Sequence, residues 1–360
     1  MKRLGLTFCF LISFIVLIAQ KAENIIIITT DGLRWQEVFE GMDKEIASDG
    51  KFNQGDSVYL FNKYWNEDPN ERRKLLLPFL WNTVEKTGQI FGNRDKGSKV
   101  DNANPYWFSY PGYSEIFTGF PDSAVNSNEY KANPNETVLE FLNRKPAFRG
   151  KVAAFAAWDA FDRILNEERA GFPVISAFDQ VKGDTITTRQ SLINQMLRDS
   201  YKPFGTAECL DVFTHYAGFE YLKAREPKVL YFAYGETDEW AHAGKYRDYL
   251  DAAHQVDQWI SDLWNFVQGH ADYRNKTVFF ITTDHGRGDL KKSEWTSHGS
   301  SINDAHEIWF AAFGSGVKGG GEARNTRQLY QAQFAQTIAA LLGFEFTASH
   351  PVAGKVEELF

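Results

Sequence analysis

The 360-residue chain carries 47 Asp and Glu against 39 Lys and Arg, a formal net charge of −8, with 43% hydrophobic and 15% aromatic residues. That acidity argues against a protein that tracks nucleic-acid phosphates, which needs a basic stripe, but a small anionic substrate stays open because bound cations invert a local field. The apolar fraction suffices for a large core, and no repeat, low-complexity tract or proline-rich linker divides the chain, so one α/β domain with loop insertions is expected over residues 23–360.

Met1-Lys-Arg gives a positive start, Leu4 to Ile18 is largely apolar, and Ala19 to Ala22 offers small residues for cleavage. This pattern predicts a signal peptide over residues 1–22 and a periplasmic or secreted mature protein. No other run approaches the ~20 apolar residues of a membrane span. Cys9 leaves with the leader, so Cys209 has no partner for an intramolecular disulfide.

Ile25 to Thr30 reads as a strand that runs into Asp31-Gly32, and the polar stretch from Glu40 to Asn70 as a surface insertion. Pro111 to Thr118 predicts a helix with proline in its first turn and Gly119 at its end, and Asn135 an N-cap for the next. Lys151 to Trp158 is a strand ending in Asp159, while Thr187 to Ser200 and Glu208 to Arg225 have helical spacing. Val229 to Thr237 is a strand running into Asp238. Tyr249, Leu250, Ala253, Val256, Ile260, Leu263, Trp264 and Val267 then mark the apolar stripe of the longest helix. Thr277 to Thr283 is a strand ending in Asp284-His285-Gly286, Ile308 to Phe313 another, and Asn325 to Leu342 a closing helix. Uninterrupted apolar strands alternating with helices predict a mostly parallel sheet sandwiched by helices.

In such sheets ligands gather beyond the carboxyl ends of the strands. Asp31, Asp238 and Asp284 end three strands there and need a cation between them. Asp238 and His242 are four apart, on one face of a helical turn, and His285 and His298 add imidazole nitrogen. Six donors exceed one tetrahedral zinc and suit two divalent ions, most simply zinc, with open positions. Two such ions favour in-line displacement at phosphorus. Ser109, just before the Pro111 helix, is the candidate nucleophile, since a helix N-terminus favours an anion and a metal would lower its pKa. Tyr110, Tyr113 and Trp158 could line a leaving-group pocket, although core packing is the better account of each. Asp159 lacks a histidine partner and reads as a turn or substrate contact.

Asp31-Gly32, Ser109 ten residues ahead of Gly119 in Thr118-Gly119, Asp238-x-x-x-His242 and Asp284-His285-Gly286 occur here in one order. In this the chain resembles the alkaline phosphatase superfamily, in the style of its nucleotide pyrophosphatase/phosphodiesterase branch, over nearly the whole mature chain. The resemblance implies a phosphohydrolase with a phospho-serine intermediate and a small phosphate-ester substrate. It implies one zinc held by Asp31, Ser109, Asp284 and His285, and a second held by Asp238, His242 and His298. It also implies an asparagine for a non-bridging phosphoryl oxygen, with Asn128 the nearest match and Asn126 its rival. A diester is the expected substrate from the style of Asp31-Gly-Leu-Arg34, with Lys96, Lys99 and Arg163 as the cations a monoester would call on.

His298 follows Asp284-His285 more closely than in that branch, a spacing more like cofactor-independent phosphoglycerate mutases, and His306 and His350 are rivals for the third imidazole. Sulfatases share the fold and the Thr-Gly spacing, but Tyr113 stands where their formylglycine motif carries arginine. A metal-stabilised binding domain without turnover is the alternative outside enzymes.

Overall fold

The computed structural model describes residues 21–183 and 186–360. The leader expected in residues 1–22 lies outside them, except for Lys21 and Ala22. Ten strands occur in chain order: β1 (Asn24–Thr30), β2 (Gly88–Phe91), β3 (Val100–Asp101), β4 (Val152–Ala156), β5 (Val174–Ser176), β6 (Val229–Tyr234), β7 (Thr277–Thr282), β8 (Phe310–Gly314), β9 (Gly321–Glu322) and β10 (Leu329–Tyr330). Eight of them form one sheet in the order β5-β4-β6-β1-β7-β8-β2-β9, and β3 pairs with β10 separately. Within the large sheet only β8 runs against its neighbours, β7 and β2.

The sheet is buried on both faces, which is why its central strands read as unbroken apolar runs. Ile26 and Ile28 of β1 face one layer, where the long helix Tyr246–Gly269 supplies Leu250, Val256, Ile260 and Leu263. Ile25 and Ile27 face the other, against Ile116 and Phe117 of the helix Ser109–Thr118 and Phe334 and Ile338 of Phe334–Leu341. Each isoleucine so buried contributes about 2 kcal/mol of hydrophobic transfer.

Several segments differ from expectation. The stretch from Glu40 to Asn70 is not a surface insertion: it holds the helix Lys44–Ser48, the helix Ser57–Tyr64 and the start of Pro69–Leu76. Of its apolar residues, Met42, Ile46, Ala47, Phe52, Leu60 and Tyr64 enter the core, while Val58 and Tyr59 stay exposed. Asn135 caps no helix but donates to Asp122, while Thr137 caps Val138–Asn143 through a capping box with Glu140. The closing helix is only Phe334–Leu341, because residues before it form β10 and a 3-10 turn. Among the described residues no helix is long and apolar enough to cross a membrane.

β1 lies between β6 and β7 in parallel register, with Thr30 beside Tyr234 and Thr29 beside Thr282. The three carboxyl ends therefore finish nearly flush, and everything that follows them shares one edge.

Candidate metal centre

β1 delivers Asp31, whose N–H donates to Tyr234 O at 2.9 Å. β6 passes through Gly235 into the short helix Glu236–His242, which carries both Asp238 and His242, the i,i+4 pair with Nε2 to Oδ2 at 3.1 Å. β7 delivers Asp284 and His285, both fully buried. Ser109 is the first residue of its helix, which starts two residues before the Pro111 that the sequence implied, after Phe108 at the N-cap position.

Side chains far apart in sequence meet in two groups. The donor atoms of Asp31, Asp284 and His285 lie within 4.8 Å of one another, and so do those of Asp238, His285 and His298. His285 stands between them, its Nε2 3.2 Å from Asp31, 3.5 Å from Asp284 and 3.7 Å from Asp238. Its Nδ1 donates to Gly286 O at 2.9 Å, which fixes the tautomer and turns the lone pair of Nε2 toward the carboxylates. His242 completes the second group, its Nε2 2.9 Å from Nε2 of His298, a contact of two imidazoles that a shared cation would satisfy. Ser109 Oγ is 3.3 Å from His285 Nε2 and 3.5 Å from Asp31 Oδ1.

The electrostatics call for a cation. Burial raises both Asp31 and Asp284 well above the usual carboxylate range, helped by the negative charge of Asp238 beside Asp31 and of Asp31 beside Asp284. Asp284 Oδ1 accepts the Gly32 N–H at 3.1 Å, but Oδ2, buried, has no partner. Burial would also raise Asp238, yet Arg287 and His242 hold it well below its ordinary value. Burial and the neighbouring His285 push His298 well down, so it offers a neutral imidazole. An orphaned buried carboxylate oxygen amid nitrogen and oxygen donors fits one or two borderline divalent ions.

Of the remaining residues singled out in the sequence, Asn128 lies at the start of the Ser109–Thr118 helix, its Oδ1 accepting the Tyr110 N–H at 3.0 Å, whereas Asn126 is exposed. Arg163 donates to the carbonyls of Asn128 and Tyr130 and so backs that asparagine. Lys96 is paired with Glu322 and Lys99 is exposed. His306 donates to Asn303 O and packs against Trp107, and His350 bonds the carbonyls of Glu136 and Pro351, so neither joins these groups. Tyr110 and Tyr113 are core residues, and Trp158 is half-buried. Asp159 is exposed, its N–H donating to Ala207 O.

Five contributions escaped the sequence reading, one of them from Tyr113, which that reading names only for a pocket or the core. Arg287, fully buried, donates to the Asp238 carboxylate and to the main-chain oxygens of Gly32 and Asp238. The Tyr113 hydroxyl donates to Asp31 Oδ2 at 3.0 Å, and Thr237 to Asp31 O. Gln331 and Asn102 both donate to Asp284 O, at 2.8 and 2.7 Å. Arg287 could have been noticed as the charged residue directly after Asp284-His285-Gly286; the others carry no local signal.

A mostly parallel sheet with this donor set at its carboxyl edge defines the class: an alkaline phosphatase-like α/β fold with a candidate metal centre. Residues 39–332 match the family described as type I phosphodiesterase / nucleotide pyrophosphatase, and the chain belongs to that family of phosphoester hydrolases. The match begins after Asp31, so that residue's place in the site rests on geometry. Solved structures of similar fold include alkaline phosphatase PafA (TM-score 0.58, 11% identity, 94% of this chain and 99% of that one). They also include the lipoteichoic acid synthase LtaP from Listeria monocytogenes (0.58, 12%, 94% and 76%). A third is the phosphonate monoester hydrolase from Silicibacter pomeroyi (0.54, 14%, 93% and 75%). In sequence, 101 residues are 29% identical to mouse GPI ethanolamine phosphate transferase 1, and they span 27% of this chain and 10% of that protein.

Proposed function

We propose that the protein is an exported two-metal hydrolase of phosphate esters, phosphodiesters foremost, with Ser109 as nucleophile and zinc as the metal. The observation that carries this is the meeting of Ser109 Oγ with the Asp31, Asp284 and His285 donors around the unpartnered Oδ2 of Asp284. Asp31, Asp284 and His285 would hold one ion beside Ser109, and Asp238, His242 and His298 the other. Bound there, the ions supply positive charge that lowers the Ser109 pKa and stabilises the entering and leaving oxygens. Ser109 Oγ attacks phosphorus and the ester oxygen opposite it departs as the alcohol, leaving a phospho-serine that still carries the second ester group when the substrate is a diester. Water then releases the phosphomonoester (or phosphate, from a monoester) and restores the serine hydroxyl. The start of the Ser109 helix offers its N–H groups and dipole to the phosphoryl oxygens, with Asn128 at their side. The Tyr113 hydroxyl holds Asp31 in place from the core side. A diester suits the commitment of Lys96 to Glu322 and of Arg163 to the carbonyls of Asn128 and Tyr130, which leaves neither to clamp a doubly charged monoester.

Purified protein should contain about two zinc ions per chain and cleave bis-nitrophenyl phosphate faster than nitrophenyl phosphate, with nitrophenyl sulfate slowest. Ser109→Ala should lose at least about a thousandfold in kcat while keeping its metal, and a short acid quench should trap phosphate on Ser109 in the wild type alone. Full activity in Ser109→Ala, or metal-free active protein, would overturn the mechanism. Turnover of the sulfate ester alone would move the protein to the sulfatases.

A further inference from the structure

Two residues before Ser109 the backbone takes a conformation that its side chain resists. Trp107 has a φ of 54°, in the left-handed region where a Cβ crowds the neighbouring carbonyl and which suits glycine. Phe108 is then extended, at φ −147° and ψ 174°, and Ser109 opens its helix. An aromatic residue stays left-handed only where the surrounding structure over-determines it, and such outliers gather at functional sites.

A short relay of hydrogen bonds holds Trp107 there. Asn104 Oδ1 accepts the N–H of Tyr106 at 3.0 Å and that of Trp107 at 3.1 Å, which closes the turn around Pro105. Asn104 is itself buried and is fixed by Glu115. Oε2 of that carboxylate accepts both the main-chain N–H and the Nδ2 of Asn104, each at 2.8 Å. Oε1 accepts the Ala103 N–H at 2.9 Å. Burying a carboxylate is unfavourable unless donors surround it, and here the donors belong to the loop that leads to the nucleophile. Glu115 is fully buried and lies on the helix that Ser109 begins, so this helix grips its own entry loop.

We propose that Glu115 is a positioning residue: through Asn104 it holds Trp107 left-handed, and so sets Ser109 Oγ beside Asp31 and His285. This rests on Ser109 as the nucleophile. Without the carboxylate, Trp107 relaxes toward negative φ, the chain enters Phe108 in another direction, and Oγ leaves its place in the site. Neither Glu115 nor Asn104 needs to touch the substrate for this, so the loss falls on kcat and spares KM.

A mutant cycle between positions 115 and 107 tests this, because glycine adopts left-handed backbone unaided. The substrate is bis-nitrophenyl phosphate and the protein is zinc-loaded. Glu115→Gln turns an amide N–H toward these donors, and should lower kcat by at least about thirtyfold with KM within about threefold of wild type. In the Trp107→Gly background the same substitution should lower kcat by less than about threefold. Asn104→Ala, which leaves the helix untouched, should show the same dependence on residue 107. Zinc content should be equal in all these proteins. An equal loss from Glu115→Gln in both backgrounds, a loss confined to KM, or a loss that follows zinc content would overturn the proposal and leave the nucleophile in place. Full activity in Ser109→Ala would instead remove the nucleophile, and this proposal with it.

Discussion

Arg287 joins all three strand-end loops: it follows His285 in the chain, bonds Gly32 and reaches Asp238 by both carboxylate and main chain. It sets a permanent positive charge against the largely buried Asp238 and its two buried neighbours, Asp31 and Asp284, and removing one partner of a buried pair costs about 3–5 kcal/mol. Arg287→Met should therefore lower kcat/KM on bis-nitrophenyl phosphate by at least about a hundredfold and weaken zinc binding, with Arg287→Lys intermediate because it keeps the charge and loses the fork. Zinc titration and steady-state kinetics on the same preparations check this; equal activity in all three proteins would dismiss the role. Gly112 is a second such point, since a Cβ there would come 2.5 Å from the Asp284 main-chain oxygen. Gly112→Ala should push the nucleophile's helix away from Asp284 and reduce kcat more than KM, as measured by initial rates. Asp31, Asp238 and Asp284 were legible in the sequence because each breaks an apolar run, a local and visible event. Arg287, Tyr113 and Gln331 were not, because their partners are set by which strand lies beside which.

The long helix Tyr246–Gly269 was readable from its stripe, and all but Trp264 of the residues named there are fully buried. Its polar exception is Asp257, which accepts the N–H groups of Phe79 and Leu80 at 2.7 and 2.9 Å and so ties the helix to the opposite segment. Burial raises this carboxyl to about 7, against the pull of those two N–H donors. The folded chain thus keeps a proton that the unfolded chain loses near pH 4, so the stability Asp257 provides is full below about pH 4 and lost as pH rises through about 7. Asp257→Asn should gain in melting temperature relative to wild type between about pH 5 and about pH 8, as thermal scans across that range would show; a constant difference would refute the ionisation. At this scale β2, β5 and β9 went unread because they are short edge-side strands of three or four residues or fewer, with no room for a period to emerge. The Glu40–Asn70 helices were missed for a related reason: they are short, and in Ser57–Tyr64 exposed Val58 and Tyr59 blur the stripe that Leu60 and Tyr64 bury.

Across the whole molecule, the candidate centre is drawn from five separate segments, around Asp31, Ser109, Asp238, Asp284 and His298, which no stretch of unfolded chain can bring together. Metal therefore binds the folded state almost alone, and its removal should be felt as stability as well as activity. Treatment with a zinc chelator should lower the melting temperature by at least about 5 °C and abolish turnover, with zinc restoring both. Unchanged melting on complete removal of metal would mean that the three acids tolerate one another unaided.

β1 precedes the other strands of the described residues and sits in the middle of the sheet, hydrogen-bonded on one side to β6 and on the other to β7. During synthesis its run of four isoleucines emerges before both partners and must wait for Val229–Tyr234 and Thr277–Thr282. Until then it is an unpaired, uncharged, β-prone segment of the sort that associates with its like. Closing the sheet around it demands long loops before any pairing is rewarded, so folding should be slow for the size of the protein. The strand that anchors Asp31 is thus also the point at which a nascent chain is most exposed to self-association, and a holding chaperone would find its target there.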